Sequence, residues 1–150
     1  MDAGAMKAVD APAAGPVKAT AARVLLVDDS RAVRTLVRLY LSARGLEFIE
    51  TGSAEEALHQ LGREPVDLVI TDYNMPGLKG VGFTEALRAH ALAQVRSVPV
   101  VMLTSDASPV ELRRQASAAG VSAFLRKPIT GPELLSVVDG LLAARPARVA

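Results

Sequence analysis

The sequence contains no cysteine, which excludes a disulfide scaffold and thiolate chemistry and leaves the redox compartment undetermined. It also lacks any apolar stretch approaching the roughly 20 residues a membrane span needs. Charge of one sign is missing too: 17 Lys and Arg stand against 16 Asp and Glu, for a net charge of +1. The basic residues are scattered, so the electrostatic footprint of a protein that binds nucleic acid or an anionic membrane surface is absent. The opening residues, MDAGAMKAVDAPAAGPVKATAA, have no compact apolar run of the kind a secretory signal carries. A soluble cytoplasmic protein is expected, with no nucleic acid and no membrane among its partners. Residues 1–22 further lack periodic apolar positions and aromatics, so they cannot repay the entropy of ordering and are expected to form a flexible tail.

What remains is enough for one core. The chain has 150 residues, half of them apolar, which suits one domain and not two. That domain is expected over residues 23–143, leaving 144–150 as a short tail too brief for a second domain. Within it, short apolar runs alternate with amphipathic stretches of helical period, five times over, as in repeated βα units around a parallel sheet. The runs Val24–Val27, Val66–Ile70 and Val98–Leu103 are almost continuously apolar, as central parallel strands covered on both faces should be. Leu46–Glu50 reads as an edge strand and Val121–Leu125 as a short final strand. Val33, Leu36, Val37, Tyr40 and Leu41 recur at helical spacing, with Gly45 placed as a left-handed helix cap. Ser53 with Glu56 and Thr130 with Glu133 form capping boxes, and Ser108, Pro109 and Glu111 supply N-cap, N1 and N3 residues. Leu134, Leu135, Val137, Val138 and Leu141 give the last helix its sheet-facing set. The fold class is therefore α/β, a doubly wound five-stranded parallel sheet of order 2-1-3-4-5.

In such a sheet, ligands bind beyond the carboxyl ends of the strands, near the point where strand order reverses. The first strand exits into Asp28 and Asp29, the third into Asp72, the fourth into Thr104 and the fifth into Lys127-Pro128. The second, at the far edge, exits into Thr51-Gly52 with no charged group. The equipped strands are contiguous, so their polar residues converge on one crevice. Three carboxylates held together repel unless a divalent cation neutralises them. Mg²⁺ takes a few carboxylate and carbonyl oxygens and accepts phosphate oxygens in its remaining positions. A carboxylate can then attack phosphorus, while metal and fixed donors stabilise the transferred charge. Lys127 supplies a point charge and Thr104 a hydroxyl. Asp72 is the best nucleophile: it ends a central strand and precedes Asn74-Met75-Pro76-Gly77, a turn that leaves the backbone open above the site. Asp28 and Asp29 then serve the metal, and the carbonyl of Asn74 can complete its ligands.

At these residues the chain resembles the receiver (CheY-like) family of response regulators, over about residues 22–143. The matching segments are LLVDDS, VDLVITDYNMPG, VVMLTSD and AFLRKP, in the family's order and spacing. The resemblance implies a flavodoxin-like (βα)5 fold in a stand-alone regulator of a two-component phosphorelay. It implies Mg²⁺ as cofactor, bound by Asp28, Asp29, Asp72 and the Asn74 carbonyl, and phosphoryl transfer to Asp72 from a histidine kinase or histidine phosphotransfer protein. Thr104 and Lys127 read the phosphate, Lys127-Pro128 is cis, and Phe124 is the rotating aromatic that turns inward when Thr104 moves. Output changes on the face of the fourth helix, fifth strand and fifth helix, where an unidentified protein target binds; the protein is a monomer or a phosphorylation-dependent dimer. The resemblance further implies that it is no enzyme beyond catalysing its own phosphorylation and dephosphorylation. Asn74 and Asp106, two residues beyond Asp72 and Thr104, flank the line of water attack and imply a short-lived signal. Ser105 departs from the smaller residue common there, and Phe124 lacks the tyrosine hydroxyl of chemotaxis motor regulators, which weakens a flagellar-motor assignment.

Three alternatives stay open: a phosphate shuttle in a multistep relay, a receiver-fold scaffold acting without phosphorylation, and an aspartyl-phosphate hydrolase of the haloacid-dehalogenase type. The last places its nucleophile in a D-x-D pattern on the first motif strand, whereas here the acidic pair comes first and Asp72 is followed by Tyr73-Asn74. Arg31, Arg34 and Arg38 share one helix face, read as solvated or as a kinase-docking surface. His59 and His90 lie in helices away from the crevice.

Overall fold

The computed structural model describes residues 21–105 and 109–145. Five parallel strands form one sheet: β1 (Arg23–Val27), β2 (Glu47–Thr51), β3 (Leu68–Asp72), β4 (Val100–Thr104) and β5 (Ala123–Arg126), in the order β2-β1-β3-β4-β5. Between and after them run α1 (Arg31–Tyr40), α2 (Ala54–Leu61), α3 (Gly80–Arg88), α4 (Pro109–Ala119) and α5 (Gly131–Ala143). A 3₁₀ turn at Ser42–Arg44 and a single helical turn at Ala93–Arg96 fill two connections. The order is the expected 2-1-3-4-5, reversing direction between β1 and β3. No helix among the described residues is long and apolar enough to cross a membrane. The expected tails fall largely outside the described residues, as does the Ser108 cap.

Side-chain alternation along each strand splits the core in two. Val24, Leu26, Ile70, Val101, Leu103 and Leu125 meet Val37 of α1, Leu41 just beyond it, and Leu134 and Val138 of α5. Leu25, Val27, Val69 and Val100 point to the other face, against Ala57 and Leu61 of α2 and Phe83 and Leu87 of α3. Each buried Val, Leu, Ile or Phe among these contributes about 1.5–3 kcal/mol of transfer free energy. Continuous apolarity in the strands is thus explained by helices on both sides.

Two central strands begin and end two residues or so later than their apolar runs. β3 is Leu68–Asp72 rather than Val66–Ile70, and β4 is Val100–Thr104 rather than Val98–Leu103. Pairing, not hydropathy, sets these bounds: the β3–β4 ladder runs from Val69↔Val100 to Asp72↔Leu103. Val66 and Val98 still pack in the core from the incoming loops. A second correction concerns Gly45. It has the left-handed conformation (φ 66°), but it ends the 3₁₀ turn, because α1 already stops at Tyr40 with Leu41 as its cap. Ser53 accepts from Glu56 N at 3.2 Å, while Glu56 Oε1 reaches back to Gly52 N at 2.9 Å. Thr130 accepts from Glu133 N at 3.3 Å.

Arg88, the last residue of α3, ties three connections together. Its Nε and Nη2 both donate to Gly120 O, at 3.1 and 2.7 Å, while Nη1 donates to Arg96 O at 2.8 Å and to Val98 O. Gly120 follows α4 with φ +100°, and a Cβ there would lie 2.8 Å from Arg88 Nε. The guanidinium therefore fastens the C-terminal end of α4 to α3. Arg88→Met keeps the apolar stem and removes every donor, so these carbonyls lose charge-assisted hydrogen bonds. We expect a loss of about 2–3 kcal/mol in urea unfolding; an unchanged midpoint would show the clasp to be idle.

Candidate functional site

Register brings the strand exits level. Asp28 follows β1, and its N–H donates to Thr51 O of β2 at 3.1 Å, prolonging the ladder by one residue. Its Oδ1 accepts from Ser30 N at 2.8 Å, an Asx turn that leads into α1 through the Ser30 cap. Asp72 is the last residue of β3, and Tyr73 N then donates to Leu103 O at 2.7 Å. Thr104 ends β4, and its carbonyl accepts from Lys127 N at 2.7 Å, so backbone pairing alone delivers Lys127 to the crevice. The Lys127–Pro128 peptide is cis.

The side chains meet as the strand order requires. One oxygen from each of Asp28, Asp29 and Asp72 lies within 4.8 Å of the other two. Lys127 Nζ sits 2.9 Å from Asp72 Oδ1 and 3.8 Å from Asp28 Oδ2. Asp28 and Asp72 are only 5% and 7% exposed, Thr104 is buried, and Asp29 is open to solvent. Burial pushes the Asp28 carboxyl above the usual range. The nearby Asp72 and Asp29 charges add to this, against the Ser30 N–H and Lys127, which favour the ionised form. Asp28 Oδ2 is buried and accepts no hydrogen bond. An orphaned carboxylate oxygen beside two further carboxylates is the donor set a hard divalent cation takes. One lysine at 3.8 Å leaves that oxygen under-coordinated, and the residues present fit Mg²⁺.

A prediction follows for Asp28. Asn at this position keeps the Oδ1 acceptor for Ser30 and removes a desolvated charge that faces two others. Asp28→Asn is expected to stabilise the metal-free protein by on the order of 1 kcal/mol and to abolish the rise in Tm on adding Mg²⁺. A metal-free variant less stable than the parent would contradict this.

Asn74 lies in the β3–α3 loop, exposed, its Oδ1 accepting from Lys79 Nζ at 2.8 Å. In the same loop Met75 is buried and Gly77 has φ 78°, with Leu78 N donating to Glu55 Oε2 of α2. Asp106 lies outside the described residues. Phe124 is half-buried on β5, its ring 5.4 Å from Arg113 Cζ of α4. Arg34 and Arg38 are no free patch: both pair with Glu50 of β2, at 2.9 and 2.6 Å. Glu50 is held below the usual carboxylate range, first by its hydrogen bond from Arg34. Arg34 Nη1 also donates to Asp28 O at 2.5 Å, supporting the β1 exit from behind. Arg31 is exposed. His90 Nδ1 accepts from Leu92 N at 3.0 Å.

Two supports were missed by sequence reasoning. Arg34 was visible only as one of three helix-face arginines. Gly80, the first residue of α3, donates from its N–H to Tyr73 O at 2.9 Å. A Cβ on Gly80 would stand 2.6 Å from Asp72 O and 3.0 Å from Tyr73 Cα. The glycine is what lets α3 start against the backbone of the Asp72 exit; a glycine opening a helix after a Gly-containing loop was the only available signal.

Similar sequences and folds occur in other proteins. Residues 24–139 match the response regulator receiver domain. The sensory/regulatory protein RpfC of Xanthomonas campestris is 34% identical over 119 residues, 79% of this chain and 16% of that protein, so the chain spans about one sixth of that relative's length. The chemotaxis protein CheY-3 of Vibrio cholerae is 33% identical over 120 residues, 78% of this chain and 88% of that one. Among solved structures, the chemotaxis response regulator CheY4 of Vibrio cholerae superposes with a TM-score of 0.73 at 34% identity, covering 81% of this chain and 99% of that one. The receiver domain of a sensor histidine kinase from Pseudomonas aeruginosa, solved with a magnesium ion coordinated in its active-site cleft, gives 0.74 at 25% identity, with 83% and 100% covered. Since the matched span begins in β1 and runs into α5, taking in every strand exit of the crevice, this chain belongs to the response regulator receiver family.

Proposed function

We propose that the protein is a phosphorylation switch of a two-component pathway, with Asp72 as phosphoacceptor and Mg²⁺ as cofactor. The observation that carries this is the cluster of Asp28, Asp29 and Asp72, one oxygen of each within 4.8 Å of the others, with Asp28 Oδ2 buried and accepting no hydrogen bond and Lys127 Nζ 2.9 Å from Asp72 Oδ1. Asp28, Asp29, Asp72 and the Asn74 carbonyl would hold Mg²⁺, as the magnesium in the Pseudomonas receiver supports. Bound there, Mg²⁺ would neutralise the carboxylates and draw charge from the phosphoryl oxygens.

A carboxylate oxygen of Asp72 attacks phosphorus, the phosphorus–nitrogen bond to the donor histidine breaks, and the departing imidazole takes up a proton. Lys127 Nζ, held 2.9 Å from Asp72 Oδ1, exchanges that oxygen for a phosphoryl oxygen. The Thr104 hydroxyl, at the end of the neighbouring strand, donates to another. Thr104 moves towards the phosphate and Phe124 turns inward into the space left. The outer surface of α4, β5 and α5 then changes for a protein target. Driving such a switch from 1:99 to 99:1 takes about 5.5 kcal/mol of differential interaction, which a dianionic group against Lys127 is suited to supply. Water attack on phosphorus, past Asn74, resets the protein, and a short-lived signal is proposed. The protein does no other chemistry.

The similarity to receiver domains within sensor proteins supports a second reading, in which Asp72 passes the group on to a phosphotransfer histidine. Net loss of label from the protein to an added histidine phosphotransfer domain would favour it. The primary test is incubation with acetyl phosphate: one phosphoryl group per chain with Mg²⁺, none with a chelator, and a label lost within minutes of donor removal. Labelling that survives for many hours in Mg²⁺ would refute the short-lived signal.

A further inference from the structure

Phe124 is half-buried, and the exposed Arg113 lies with Cζ 5.4 Å from the centre of its ring. The pairing Met102↔Phe124 and Thr104↔Arg126 puts Phe124 on the same sheet face as Met102 and Thr104, one step back from the exit. Helix α4 packs beside α3, whose Phe83 and Leu87 lie on the sheet face of Val69 and Val100; its Leu112 and Ala116 are buried, and Arg113 follows Leu112 directly. The neighbouring charges are already matched elsewhere: Arg114 donates Nε to Glu111 at 3.1 Å, and Gln115 donates to the same carboxylate at 3.2 Å. Arg113 is thus the cation that stacks on the ring, and the exposure of its side chain places this contact at the protein surface.

From this geometry we infer that Arg113 is a positioning residue, a latch that holds Phe124 outward and sets the resting population of the switch. The inference rests on the phosphorylation reading, because it needs a ring that turns. An inward ring leaves the guanidinium behind, so the cation–π attraction acts on the resting state alone and opposes activation. It also frees the Arg113 guanidinium for a partner when the ring departs. Exposed cation–π contacts translate into a two- to five-fold change in the ratio of the two ring positions.

The test uses the full chain with 4-fluorophenylalanine at its three Phe positions, the Phe124 fluorine being assigned through Phe124→Leu. Wild type is recorded free and with Mg²⁺ and beryllofluoride, a phosphoryl mimic whose own bound fluorines report occupancy. The free spectrum reports the resting mixture of ring positions, and the beryllofluoride spectrum marks the inward end of the scale. Free Arg113→Ala is expected to lie further towards the inward end, with the inward-to-outward ratio raised two- to five-fold. Arg113→Lys should fall between it and wild type. Arg114→Ala, which removes the same charge one residue away, should coincide with wild type. A free Arg113→Ala resonance identical to wild type, or an equal shift in Arg114→Ala, overturns the latch. Bound beryllofluoride with an unmoved Phe124 fluorine also overturns it and leaves the phosphorylation site standing. Absence of bound beryllofluoride in wild type counts against the phosphorylation reading itself, and the latch falls with it.

Discussion

Lys127→Met is expected to destabilise the metal-free protein by about 2–3 kcal/mol at neutral pH, and Mg²⁺ is expected to restore most of that loss. The lysine stands 2.9 Å from Asp72 and 3.8 Å from Asp28, both nearly buried, while its own side chain is 25% exposed. Desolvation therefore weighs on the carboxylates more than on the ammonium. Methionine fills the stem's volume and leaves the acids facing one another with no cation. The same loss removes a competitor for the metal, so Mg²⁺ should bind Lys127→Met more tightly than wild type, by on the order of three- to ten-fold. Thermal unfolding across an Mg²⁺ titration reads both effects. A metal-free Lys127→Met as stable as wild type would mean that water screens the acidic cluster.

Gly80→Ala is the second large effect. The added methyl would meet backbone atoms, Asp72 O at 2.6 Å and Tyr73 Cα at 3.0 Å, and a backbone cannot swing aside as a side chain does. Either α3 slides outward, breaking the Gly80 N–H to Tyr73 O bond, or the Asp72 exit moves. We expect a cost of about 2–3 kcal/mol, near 10 °C in Tm for a domain of this size. Displacing Asp72 from its position beside Lys127 is also expected to slow phosphoryl uptake by about ten- to hundred-fold. Gly52→Ala is the matched control. It lies at the same end of the sheet with nothing within 4 Å of an added Cβ, and it should cost at most about 0.5 kcal/mol. Equal losses in the two variants would show that the tight approach at Gly80 is relieved without consequence.

The strand order and both faces of the core were legible because each signal is local. A run such as Val24–Val27 shows its own period, and a helix such as Leu134–Leu141 its own stripe. The site was legible for the same reason: Asp28, Asp29, Asp72, Thr104 and Lys127 each stand at the end of an apolar run, and a parallel sheet aligns such ends. What could not be read were contacts between elements far apart in the chain. Arg88 looks like any helix-terminal arginine until Gly120, 32 residues on, arrives beneath it. Arg34 and Arg38 look solvated until β2 places Glu50 beside them. Arg113 meets Phe124 only after β5 enters the sheet. The late starts of β3 and β4 have the same origin, since a ladder's limits belong to two strands and no single run of apolar residues contains them.

The central claim is that Asp72 is the residue phosphorylated, and intact mass after brief incubation with acetyl phosphate and Mg²⁺ tests it most directly. One added phosphoryl group on wild type, absent with chelator and absent in Asp72→Ala, is the predicted result. The same adduct on Asp72→Ala, or none on a wild-type protein whose Tm rises with Mg²⁺, would contradict it.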